Sequence, residues 1–106
     1  MRVKNKKTYY LKKKIISEDN EGGKYQGYSD LGIDIMANIS PASGKLQAEI
    51  YGERLNYILN MLYDGPLDLK EGDGICVYAP KKSDPDYKII SIKRYSHKVI
   101  ELEKIL

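Results

Sequence analysis

One histidine, His97, and one cysteine, Cys76, are all this chain offers of the two residue types that most often do proton-transfer and thiolate chemistry. A zinc site of the Cys/His type cannot be built from two such residues within one copy. There is no Gly-x-Gly-x-x-Gly stretch or phosphate loop, and no Ser stands in a nucleophile elbow. Cys76 lies in the apolar run Ile75-Cys76-Val77-Tyr78 and reads as a buried, inert thiol. His97 stands between Arg94 and Lys98 at an expected turn and reads as a surface residue. Four acids fall between Asp64 and Asp73, but their spacing misses the EF-hand loop, and solvated turns account for them. The expectation is a protein that is not an enzyme and holds no metal ion or cofactor.

Charge and aromatic residues carry more information. Residues 1–14 hold seven basic side chains (Arg2, Lys4, Lys6, Lys7, Lys12, Lys13 and Lys14) and no acid. The remaining 92 residues hold 11 basic and 15 acidic residues, a balance of −4 beneath the overall +3. A mildly acidic body with a basic N-terminal arm is implied. Such an arm can meet phosphates through counterion release, dock on an acidic protein surface, or keep an edge strand soluble. The chain has ten Tyr and neither Phe nor Trp. Tyrosine combines a large apolar face with one polar tip, which suits subunit contacts, the rim of a small core, or stacking of bases.

These side chains must be positioned by a small framework. A length of 106 residues suits one domain, with 42% hydrophobic and 31% charged residues, ordinary values for a globular protein. No apolar run is long enough to cross a membrane as a helix, and the basic N-terminus lacks the apolar region of a signal peptide. A cytoplasmic product is expected. Thr8 to Ile16 reads as a first strand, followed by a polar, Gly-rich loop from Ser17 to Gly27. Gly32 to Ser40 alternates cleanly, with Ile33, Ile35, Ala37 and Ile39 on one face. Pro41-Ala42-Ser43-Gly44 is a turn, and Leu46, Ala48 and Ile50 alternate as a short strand. Asn56 to Tyr63 fits both a strand and a helix, and enclosing turn signals favour the strand. Ile75 to Tyr78 is a compact strand, and Tyr87 to Tyr95 with Lys98 to Leu106 makes a C-terminal hairpin. The fold class expected is mostly β: a single small barrel or sandwich of about six to seven short antiparallel strands. Residues 1–7 form its arm and 8–106 its body.

The order of these pieces resembles the head-closure proteins of tailed bacteriophages, the stoppers of the head–tail joint. The resemblance rests on Ile35-Met36-Ala37-Asn38-Ile39 before Pro41-Ala42-Ser43-Gly44, then Ala48-Glu49-Ile50-Tyr51-Gly52-Glu53-Arg54. It continues through Tyr63-Asp64, Glu71-Gly72-Asp73-Gly74-Ile75 and Pro85-Asp86-Tyr87-Lys88-Ile89, up to the hairpin around His97. It implies a β-barrel that assembles with itself into a ring of about 12 copies with cyclic symmetry. The partners implied are the portal or adaptor above and tail-completion proteins below, in a virion assembled in the bacterial cytoplasm. Packaged double-stranded DNA would be retained without sequence reading, and no membrane is involved. The residues expected to face the channel, its DNA or a docking partner are Lys4, Lys6, Lys7, Lys12, Lys13, Lys14, Ser43 and Lys45. The last two belong to the turn that best matches the family's channel loop. Tyr51, Arg54, Tyr57, Tyr63 and Tyr87 are the expected subunit contacts. The alternative is a small OB-like binder of single-stranded nucleic acid, using the basic arm and stacked tyrosines.

Overall fold

The computed structural model describes residues 4–18, 24–94 and 98–105. Six strands close into an antiparallel barrel: β1 (Lys7–Lys12), β4 (Ile33–Pro41), β5 (Ile58–Tyr63), β8 (Lys98–Lys104), β7 (Tyr87–Arg94) and β6 (Gly74–Cys76), in that order around the wall. The expected mostly-β, single small barrel is therefore what the chain forms. Alternation drives it. Ile35, Ala37, Leu59, Met61, Ile75, Ile89, Ile100 and Leu102 point inward and are almost fully buried. Each such aliphatic side chain contributes about 1.5–3 kcal/mol by leaving water. A bulge between Ile89 and Ser91 lets Ile89 and Ile92 both face the interior, opposite Leu102 and Ile100.

Three elements differ from the sequence expectation. The first strand is two: β1 ends at Lys12, and β2 (Lys14–Glu18) leaves the barrel after the single residue Lys13. The stretch from Ser17 to Gly27 is not simply a loop, because β2 pairs with β3 (Lys24–Tyr28) as a hairpin, Ile15 lying opposite Gly27. The polar, Gly-rich sequence from 17 to 27 carries no apolar alternation that would mark the two strands. Leu46, Ala48 and Ile50 are not a strand either. They belong to helix α1 (Lys45–Tyr51), continued by a 3-10 turn over Gly52–Tyr57. The segment is rich in good helix formers and lies between Gly44 and Gly52, and its polar residues Gln47, Tyr51 and Arg54 recur at helical spacing. The turn at Ser96-His97 lies outside the described residues.

Candidate functional site

Helix α1 lies across the outer face of β5 and β8 with its apolar side turned the wrong way for a core helix. No residue of α1 or of the 3-10 turn is buried. Leu46 and Ile50, one helical turn apart, are 67% and 62% exposed, and Tyr57 beyond them is 43% exposed. The polar side meets the barrel. Gln47 exchanges two hydrogen bonds with Asn60 of β5, its amide donating to Asn60 Oδ1 at 2.8 Å and accepting from Asn60 Nδ2 at 3.2 Å. The same Gln47 amide donates to Glu101 of β8 at 3.0 Å, and Ser43 N donates to Gln47 Oε1 at 3.2 Å. Tyr51 also hydrogen-bonds to Glu101. Burial, that hydrogen bond and the Glu101 charge push the Tyr51 phenol up to about 12, against a smaller opposing effect of Arg54. Arg54 closes the row with a bond to Glu103 at 2.6 Å, its guanidinium 5.6 Å from the Tyr51 ring centre.

Glu101 stands between Ile100 and Leu102 on the alternate face of β8, where a solvated side chain is the ordinary outcome. It is instead buried beneath α1, with Lys93 Nζ 4.0 Å from its other oxygen. A second acid, Asp73, is also buried, although the turns around it were expected to be solvated. Its carboxylate accepts from Lys13 Nζ at 3.0 Å, from Lys14 N at 3.1 Å and from Lys70 N at 3.1 Å. Asp73 thus fixes the point where β1 hands over to β2. Gly72, at φ +94°, makes the turn that feeds Asp73 in, a backbone conformation that side chains resist.

The basic residues expected to act together are divided by these contacts. Lys12 is not at the surface: it is 1% exposed and donates to the Asp30 carbonyl at 2.8 Å. Lys13 also donates to the Asp68 carbonyl, and Lys6 pairs with Asp64 at 2.7 Å. Lys4, Lys7 and Lys14 are exposed, as are Ser43 and Lys45 at the start of α1. Among the expected contact residues, Tyr51, Arg54 and Tyr57 gather on the α1 side. Tyr63 and Tyr87 do not join them, because both are core residues, 3% and 8% exposed. Tyr63 closes one end of the barrel, its hydroxyl accepting from Leu67 N at 3.2 Å. At Tyr87 the exposed ring of Tyr78 packs edge-on, centres 6.3 Å apart. Burial, with Tyr78 and Asp86 nearby, raises the Tyr87 pKa. Cys76 is buried as expected, and burial raises its thiol pKa.

Sequence reading missed Leu46 and Ile50 as a surface pair, since alternation assigned them to a strand interior. Their i, i+4 spacing beside the polar set 47, 51 and 54 was the available signal. Among the described residues no group of three or more His, Cys, Asp and Glu is arranged to hold a metal ion. Comparison of the chain with models of protein families, with curated proteins and with solved structures gave no match.

Proposed function

We propose that this chain is a structural connector subunit, a head-closure protein of a tailed phage or prophage that joins copies of itself into a ring below the portal. The observation that carries the reading is the outward apolar face of α1, Leu46 and Ile50, mounted on a polar underside. A helix that served only to cover the barrel would turn those residues inward. A closed cyclic ring needs two different faces that meet head to tail. In the strand order β4 and β1 follow β5 around the barrel, so the β1–β4 wall is a different face from the β5–β8 face that carries α1. It has its own exposed apolar residues, Met36 of β4 at 48% and Leu31, just before β4, at 72%. In this reading α1 of one copy rests on the β1–β4 wall of the next. The exposed basic residues Lys4, Lys7 and Lys14 then meet DNA phosphates or a neighbouring ring without reading bases.

The test is quantitative mass spectrometry of particles purified from cells that express the gene among its native neighbours. A fixed, ring-sized number of copies relative to the major capsid protein supports the connector. Absence from intact particles overturns it. Salt-dependent binding of single strands, lost when Lys4, Lys7 and Lys14 are neutralised, would then favour the nucleic-acid binder. That alternative already loses Lys6, Lys12 and Lys13 to internal contacts.

A further inference from the structure

The barrel wall has a gap. β4 pairs with β1 from Ile33 to Ala37, but its ladder to β5 runs only from Asn38 to Pro41. β5 stays on β8 as far as Tyr63 opposite Lys98, and leaves β4 after Leu62. Among the described residues, 33–36 therefore pair on one side only, and alternate backbone N–H and C=O groups along them face the gap. Unpaired strand edges of this kind accept another strand. Beside this edge lies a groove of about 370 Å³, walled by Ile33, Ile35 and Met36 on one side and by Tyr63, Pro66 and Leu67 on the other. The far wall is held in place. Tyr63 anchors the turn through Leu67 N, and Lys98 Nζ donates to the Leu67 carbonyl at 3.0 Å. Gly65 is required there, because a Cβ would sit 2.4 Å from the Tyr63 hydroxyl.

We infer that this groove is a β-augmentation site that takes an extended segment of a partner protein, about four residues long, with apolar side chains at alternate positions and an acidic residue at one end. The open edge spans about 13 Å at ~3.3 Å per residue, which sets the length. The unpaired backbone calls for a strand rather than a helix, and the apolar walls call for alternate apolar side chains. The charge follows from the Asn38 end of the edge. There Asn38 Nδ2 donates to the Lys4 carbonyl at 3.0 Å, Lys7 stands opposite Ala37, and Lys6 lines the groove. Of these three lysines only Lys6 has an acidic partner among the described residues, Asp64. At the other end Asp34 is already paired with Lys81 at 2.9 Å. The inference goes beyond the connector reading and does not depend on it.

The experiment uses the full chain and a library of blocked octapeptides, varied over Val, Ile, Thr, Tyr and Ser, with either two Glu or two Lys at one end. Enriched peptides are titrated by fluorescence anisotropy, and bound amides are mapped by NMR. Binders from the Glu set are expected, at least tenfold tighter than their Lys counterparts and weakened at least tenfold by the double variant Lys4→Glu, Lys7→Glu. Their amide shifts should centre on residues 33–36 and 64–67. N-methylation of alternate peptide amides, in one of the two registers, should abolish binding. Failure to enrich any peptide, equal binding of the Lys set, or indifference to N-methylation in both registers would overturn the site. So would a dimer of the free chain that buries the same amides, because the occupant would then be a second copy.

Discussion

Two buried carboxylates hold this molecule together in different ways. Asp73 receives two backbone N–H groups and one ammonium, from Lys14, Lys70 and Lys13. Those donors belong to the β1–β2 junction and to the turn before β6, so losing Asp73 frees main chain where β1 ends and where the chain enters β6. Among the described residues Glu101 meets only side chains: Gln47 and Tyr51 from α1, and Lys93 Nζ of β7 at 4.0 Å. Losing it frees a helix that the barrel does not need for its core. The same residue chemistry thus makes a fixed seam in one place and a mounted platform in the other. The difference lies in whether the partners are backbone groups at the ends of barrel strands or side chains of an appended segment.

The largest expected effect tests the seam. Asp73→Ala leaves the Lys70 and Lys14 amides without their acceptor and removes the partner of Lys13. A loss of about 3 kcal/mol, or roughly 12–24 °C in Tm, is expected from calorimetric unfolding. A shift of about 8 °C or less, the size expected for Glu101→Ala, would make the two clamps equivalent and remove the contrast. Glu101→Ala comes next, at about 1 kcal/mol, since Gln47 keeps Asn60. Its signature is regional: amide exchange accelerates in residues 45–57 while β5 and β8 stay protected. Uniform acceleration would show that the platform is part of the barrel's cooperative unit.

Alkaline pH sharpens the same contrast. The Tyr51 phenol is raised from 10.0 to about 12. Its folded-state pKa lies above the unfolded one, so its contribution to stability is complete below pH 10. It declines as pH rises from 10 to 12, because the unfolded chain gives up the proton first. Tyr9, Tyr28 and Tyr87 are raised in the same direction, chiefly by burial, and add to the general decline. The part belonging to α1 is isolated by Tyr51→Phe, which should show a shallower fall in Tm between pH 10 and 12 than the parent chain. Identical slopes would detach Tyr51 from the clamp.

How much of this was legible depended on which side chains an element buries. β4 announced itself because Ile33, Ile35, Ala37 and Ile39 all turn to one side, and the C-terminal pair β7–β8 did so through its β-branched residues. β5 was resolved correctly against a helical alternative by the turns around it. Helix α1 was misread for a physical reason: its buried side is polar, so the usual link between apolar periodicity and burial is inverted. Asp73 and Glu101 were invisible as clamps, because their donors lie far away in sequence, 59 residues from Asp73 to Lys14 and 54 from Glu101 to Gln47. Lys12 shows the same limit, a charge in a basic run that turns inward to meet a carbonyl. The open edge of β4 could not be read at all, since strand pairing leaves no mark on which neighbour stops first.

The smallest effect on stability should accompany the largest on assembly. Ile50→Asp alters a side chain that is 62% exposed. Its effect on Tm should correspond to no more than about 0.5 kcal/mol. Leu46→Asp, at 67% exposure, should behave alike. A helix mounted by Gln47, Tyr51 and Arg54 does not need Leu46 and Ile50 to stay folded, so their removal separates mounting from use. If the apolar face serves contact between copies, either variant lowers ring formation in particles at least tenfold while circular dichroism is unchanged. If instead Tm falls by 10 °C or more, Leu46 and Ile50 support the monomer, and α1 is a cover rather than a platform. If both fold and assembly are unchanged, the outward face of α1 is not a contact between copies, and Met36→Asp becomes the informative variant, since the β1–β4 wall carries Met36 at 48% exposure with Thr8 Oγ1 3.0 Å from its sulfur.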